Sequence, residues 1–178
     1  MKVFINPGHA PNGNPDPGAV NPNTGLREST VAAAVGELVK KYLEKVGYSC
    51  KLLQSDSLWE ICRESNNWDA DLFVSIHCNA AENTSATGTE TFAFNGSSRG
   101  YHLAGCIQNQ LISSLPVVDR GVKSANYYVL RNTDAVAVLV ELAFITNDKD
   151  EKMLADANYQ NEFARAIARG ITDFVSGK

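Results

Sequence analysis

Apolar and polar positions change period several times along the chain, and each change marks an element. Val3 to Asn6 is a short apolar strand. It runs into Pro7 to Gly25, a stretch dense in Pro, Gly and Asn with no apolar period, and a loop of that length usually has a working role. Val31, Ala34, Val35, Leu38, Val39, Tyr42, Leu43 and Val46 then recur at i, i+3, i+4, i+7 spacing, which predicts an amphipathic helix stopped by Gly47. Tyr48 to Gln54 reads as a second strand, Leu58 to Trp68 as a helix capped by Asp56 or Ser57, and Asp71 to His77 as a third strand.

After the polar loop Asn79 to Gly88, an alternating strand is expected at Thr89 to Asn95 and a helix near Arg99 to Leu115, with short strands around Val122 and at Tyr128 to Leu130. Ala135 to Ala143 is a nearly unbroken apolar strand interrupted by Glu141. Helical turns at Asp148 to Asp156 and a helix at Tyr159 to Val175, with Phe163, Ile167, Ile171 and Phe174 as its stripe, close the chain. Strands alternating with helices predict an α/β fold: a mostly parallel twisted sheet with helices on both faces.

Composition narrows the function classes. The 178 residues, 44% hydrophobic, suit a single domain spanning residues 1–178. A formal charge of -4, with Lys and Arg scattered, leaves no basic stripe for phosphates, so nucleic acid is not an expected partner. No apolar run reaches the ~18 residues of a membrane span, and MKVFINPGHA meets Asn6 and Pro7 before a secretory apolar region could form. The four cysteines, Cys50, Cys62, Cys78 and Cys106, fall in four separate predicted elements without a CxxC pair, which predicts reduced, mostly buried thiols. A monomer is the expectation for the assembly state.

The chemistry-bearing residues sit where strands leave the core. In open parallel sheets, ligands bind outside the carboxyl ends of the strands. His9 follows the first strand through a Pro-Gly turn, His77 closes the third, and Glu141 lies late in the Ala135 to Ala143 strand. Continuing the first helix backwards puts Glu28 on its apolar face, beside Val31 and Val35. Each has an ordinary reading too: His77 as a satisfied core histidine, Glu28 as a carboxylate on a helix dipole, Glu141 as a buried partner of a cation such as Arg131. Together, two imidazoles and a carboxylate are the ligand set of catalytic zinc sites, where the metal lowers the pKa of water toward ~7 and a second carboxylate moves protons. Glu141 fits that second role. His102, on an ordinary helix, reads as solvated or helix-packed. Cys78 beside His77 is no nucleophile–base pair, because adjacent strand residues face opposite ways.

Taken in order, INPGH at Ile5 to His9, DPGAV at Asp16 to Val20, GLRES at Gly25 to Ser29, ADLFVSIHCNA at Ala70 to Ala80, GTETF at Gly88 to Phe92, DRGVK at Asp119 to Lys123 and VLVELAFITN at Val138 to Asn147 resemble a known set of motifs. That set belongs to the zinc-dependent N-acetylmuramoyl-L-alanine amidases, the cell-wall hydrolases of bacterial autolysins and phage endolysins, and the likeness runs from Val3 to about Ile171. The resemblance implies that His9, Glu28 and His77 ligate Zn2+, that Glu141 is the catalytic acid/base, and that peptidoglycan is the substrate. It further implies hydrolysis of the amide between the lactyl group of N-acetylmuramic acid and the L-alanine of the stem peptide. Asn6 departs from it where an aspartate is common, Ala10 and Ala143 stand for glycines, and the usual Thr-Arg pair is missing around Gln54 to Asp56. If that aspartate orients His9, Asn6 would do so less well.

Two rivals share these residues: a wall-binding module that no longer cleaves, and a zinc peptidase or deacetylase acting elsewhere on the polymer. From the opening residues the expectation is a protein held in the cytoplasm until release, as a phage-type lysin or a mother-cell enzyme, or else a fragment of a secreted protein.

Overall fold

The computed structural model describes residues 1–177. Its strands are β1 (Lys2–Pro7), β2 (Ser49–Leu52), β3 (Leu72–Asn79), β4 (Thr89–Ala93), β5 (Asp119–Ser124) and β6 (Val136–Phe144), and its helices α1 (Glu28–Lys45), α2 (Leu58–Asn67), α3 (Ser98–Ser114), α4 (Tyr128–Arg131), α5 (Asp148–Ala155) and α6 (Ala157–Ser176). The strands form one six-stranded sheet in the order β2-β1-β3-β6-β4-β5. All neighbours run parallel except β4 and β6, which are antiparallel. The predicted α/β architecture is therefore the observed one. Among the described residues, no helix is long and apolar enough to cross a membrane.

Strand alternation divides the core in two. Val3 and Ile5 of β1, Leu72, Val74, Ile76 and Cys78 of β3, and Val138, Val140 and Leu142 of β6 face a layer built by α1, α3 and α6. The intervening residues Phe4, Phe73, Ala137 and Leu139 face the other way, onto Ile61 and Cys62 of α2 and Val129 and Leu130 of α4. Helices thus cover both faces, but the second layer is thinner, and it is beside that layer that polar side chains enter the sheet. Ser57 caps α2 by accepting from the Glu60 backbone N–H, fixing where that helix begins.

Tyr128 to Leu130 is a correction: the segment is a helical turn, not a strand. Three apolar residues in a row carry no period that separates strand from helix. Here Asn132 Nδ2 and Thr133 Oγ1 donate to the carbonyls of Tyr128 and Val129, closing the turn and directing Val129 and Leu130 into the α2 side of the core.

The long segment after β1 is held at several points rather than extended. It contains one 3-10 turn, Pro11–Gly13. Asn21 Nδ2 donates to the Ile145 carbonyl and Thr24 Oγ1 to Glu151 of α5, which ties the loop to the far end of β6. The Glu28 backbone N–H donates to the Ala19 carbonyl and delivers the chain into α1.

Candidate metal centre and cavity

Four sequence-predicted residues converge at the carboxyl rim of the sheet, each from a different element. His77 stands opposite Glu141 in the β3–β6 register, and Glu141 stands opposite Glu90 of β4. Paired residues share a sheet face, so the three form a row on the α2 side. His9 lies just beyond β1 with φ 65, a left-handed conformation uncommon for a residue with a side chain. Glu28 is the first residue of α1 and only 4% exposed, as expected for its place on the apolar face.

Glu28 is the hub of the group. Its Oε2 lies 3.0 Å from His9 Nε2 and accepts from the Ala19 N–H at 2.8 Å. Its Oε1 lies 2.9 Å from His77 Nδ1 and accepts from the Cys78 N–H at 3.0 Å. Burial opposes its ionisation, yet the hydrogen bonds from His77, His9 and the Ala19 N–H hold the carboxyl well below the usual range. One donor atom from each of His9, Glu28 and His77 lies within 4.8 Å of the others. A tetrahedral zinc with bonds of ~2.1 Å needs its ligand atoms roughly 3.4 Å apart, so small shifts of these side chains suffice, and the donor set is one that zinc accepts.

Close backbone approach shapes the group. A Cβ on Gly18, itself at φ +67, would lie 2.5 Å from His9 Cδ2 and 2.6 Å from Glu28 Oε2. One on Gly8 would lie 2.4 Å from His77 Cε1. Both rings rest on bare backbone.

Asp16 is the partner that sequence reading missed. Its Oδ2 is 2.7 Å from His9 Nδ1, and its Oδ1 accepts from the Gly18 N–H. Asn6 bonds to Ser75 and to the carbonyls of Leu53 and Pro7 and not to His9, which corrects the idea that this position orients His9. Burial alone would lower the His9 pKa, but the bonds to Glu28 and Asp16 outweigh it and raise it to about 9. The bond to His9 likewise lowers the Asp16 carboxyl. A loop residue seven positions from His9 carries no periodic signal, and only its place inside DPGAV could have flagged it.

Glu141 is the exception in this network. Its Oε2 is enclosed and has no hydrogen-bond partner. Burial pushes its carboxyl up to about 7, Glu28 and Glu90 adding to the effect and His77 and His9 opposing it. Arg131 is not its partner, since that guanidinium donates to Asn126 Oδ1. Glu90, by contrast, accepts from Asn79, Arg120 and Lys123, and the two cations Lys123 and Arg120 keep its carboxyl low against the effect of burial. Two carboxyls on adjacent strands are thereby driven apart in acidity, which is how an active site assigns different roles to like groups.

A cavity of about 430 Å3 opens on this rim, bordered by His9, His77 and Glu141 on one side and by Leu58, Ile61, Tyr128, Val129 and Leu139 on the other. Tyr127 also lines it, edge-on to Phe92 at 5.3 Å between ring centres. His102 is exposed and packs edge-on against Phe174, away from the cavity. Cys78 lies in the opposite core layer, where burial raises its thiol well above the usual range, and none of the four cysteines is in a disulfide.

Comparison with known proteins adds to this geometry. The Amidase_3 family, described as N-acetylmuramoyl-L-alanine amidase, matches residues 3–173. The uncharacterized protein YqiI of Bacillus subtilis (strain 168) is 40% identical over 97% of this chain and 84% of its own length. The N-acetylmuramoyl-L-alanine amidase LytC of the same organism is 36% identical over 97% of this chain, which spans 35% of LytC. Among solved structures, the N-acetylmuramoyl-L-alanine amidase AmiC2 of Nostoc punctiforme superposes with a TM-score of 0.91 at 32% identity, covering 99% of this chain and 97% of that one. The chain belongs to the N-acetylmuramoyl-L-alanine amidase family, the enzymes that hydrolyse the amide between muramic acid and the stem peptide of peptidoglycan.

Proposed function

We propose that residues 1–178 act as one catalytic domain on the bacterial cell wall, with His9, Glu28 and His77 holding a single Zn2+ and Glu141 moving protons. The observation that carries this reading is the unpartnered Glu141 Oε2, raised to about 7, in the same cavity as the His–Glu–His group. A general acid/base works best with a pKa near the working pH and with room beside it for a reacting atom.

When bound, zinc would supply Lewis acidity toward a carbonyl oxygen and toward water. The chain's own groups do the rest. Asp16 accepts from His9 Nδ1 and keeps Nε2 turned toward Glu28. The backbone N–H groups of Ala19 and Cys78 hold both oxygens of Glu28 in place. Glu141 accepts a proton from the attacking water and returns one to the L-alanine nitrogen, so that a lactyl carboxylate and a free stem-peptide amine are formed. The apolar wall from Leu58 to Leu139 limits water around that exchange and gives uncharged parts of the substrate a surface to cover.

Digestion of purified wall, with product analysis, tests the proposal. New L-alanine amino termini together with lactyl carboxylates are expected, and chelation should abolish them. Release of acetate, or cleavage within the peptide, would favour the deacetylase or peptidase reading, and wall binding without any product would favour a binding module. Glu141→Gln should keep zinc and lose turnover by roughly 100- to 10,000-fold.

A further inference from the structure

Asn6, Ser75 and His77 lie on one face of adjacent strands, and their hydrogen bonds can be ordered from one fixed end. Asn6 Nδ2 donates to the backbone carbonyls of Leu53 and Pro7, each at 3.1 Å, and carbonyls only accept. The amide is thereby oriented with Oδ1 toward Ser75. Ser75 Oγ spends its single proton on that oxygen at 2.8 Å. Lone pairs are all that remain on Ser75, so its 3.1 Å contact with His77 Nε2 has one consistent direction, with the ring as donor. Nε2 therefore carries a proton aimed at Ser75, and Nδ1, 2.9 Å from Glu28 Oε1, is the ring nitrogen that faces the gap among the three candidate ligands. Asn6 is 2% exposed and Ser75 0%, so bulk water does not compete for these bonds.

We infer that Asn6 and Ser75 are positioning residues: a relay anchored on the carbonyls of Leu53 and Pro7 that holds a proton on Nε2 of His77, so that Nδ1, the nitrogen facing Glu28, is the one a metal would take. The opposite tautomer would set a ring lone pair against the lone pairs of Ser75 and place an N–H where a metal must sit. The relay also gives Asn6 a task. Its amide both accepts from Ser75 and donates to two carbonyls, whereas a carboxylate could only accept. His9 is served separately by Asp16, so the two imidazoles present different nitrogens, Nε2 from His9 and Nδ1 from His77, each set by its own partner. This inference rests on the metal reading of His9, Glu28 and His77.

Zinc affinity, measured by competition with a chromophoric chelator, is the primary readout, with thermal melting of each variant to confirm the fold. Ser75→Ala should lose ~10- to 100-fold in affinity, the range found when an orienting partner of a ligand histidine is removed. Asn6→Leu should lose a similar amount, because the freed Ser75 proton can then turn toward Nε2. Asn6→Asp keeps an acceptor facing Ser75 but turns an oxygen toward the carbonyls of Leu53 and Pro7, so it should lose less affinity than Asn6→Leu while lowering the melting temperature. In the zinc-loaded wild type, imidazole 15N spectra should show His77 protonated on Nε2. Wild-type affinity in Ser75→Ala, or a metal on Nε2 of His77, overturns the relay alone. A wild-type protein that takes up no zinc overturns the metal reading and the relay with it.

Discussion

Replacing Glu141 by Gln should stabilise the metal-free protein by an amount that grows as pH rises from 4.5 to about 7 and is then constant. In the folded chain the Glu141 carboxyl titrates at about 7, against a reference of 4.5 for an unstrained glutamate. Its folded pKa is raised, so the native state holds this proton more tightly than the unfolded chain does. The contribution to stability is full below pH 4.5 and is lost as pH rises through about 7. Each pH unit between the two values corresponds to ~1.4 kcal/mol, giving roughly 3 kcal/mol lost by alkaline pH. Because one side of Glu141 meets the cavity, solvent screens part of this, and ~2 kcal/mol is the figure to test. Gln is nearly isosteric and does not titrate. In a domain of this size, ~2 kcal/mol corresponds to about 4–8 °C in melting temperature. Calorimetric melts of chelated wild type and Glu141→Gln, at about pH 5 and about pH 8 and matched ionic strength, make the measurement. An equal increment at both pH values would mean packing rather than charge, and no increment at the higher pH would refute the desolvation of this carboxyl.

Other outcomes follow from the same centre. Asp16→Ala removes the acceptor on His9 Nδ1 and should weaken zinc binding by ~10- to 100-fold in a chelator competition while the melt of the metal-free protein changes little. Since His9 without metal titrates at about 9, zinc uptake near pH 8 should release its proton; calorimetric binding heats should then differ between buffers of unlike ionisation enthalpy, and apparent affinity should fall by about tenfold for each pH unit lowered. Buffer-independent heats would remove His9 from the ligand set. Gly18→Ala, whose Cβ would meet His9 Cδ2 at 2.5 Å in a left-handed backbone, should abolish zinc binding yet leave the circular dichroism of the sheet and helices intact.

Elements with a strong hydrophobic period were legible from sequence. The stripe from Val31 to Leu43 matches α1, with Val46 falling just past its end and exposed, and the apolar runs around Phe73 and Val138 match β3 and β6, because helix and strand faces buried in a core must repeat at 3.6 or 2 residues. Tyr128 to Leu130 was misread for lack of that length. The turn is decided by side chains beyond the run, Asn132 and Thr133, whose bonds to backbone are tertiary in effect though local in sequence.

The site was legible in its charged members and silent in its supporting ones. Glu28 was placed by helix periodicity and Glu141 by being a charge inside an apolar strand, since burying an ionisable group is expensive enough to need a reason. Asp16 and Ser75 give no such signal: an aspartate in a polar loop and a serine in a strand are ordinary, and only the fold brings each against an imidazole of the candidate site. Ser75 was nevertheless within reach of the period-2 rule, which puts it on the face of His77 and not on that of Ile76 or Cys78. The same rule also places Leu139, Glu141 and Glu90 on that face and leaves the opposite face wholly to the core, so chemistry and packing occupy alternate residues of the same strands. Substitutions at Val74, Ile76 or Val140 should therefore act through stability, and those at Ser75, His77 or Glu141 through the site, although each pair of neighbours is one peptide bond apart.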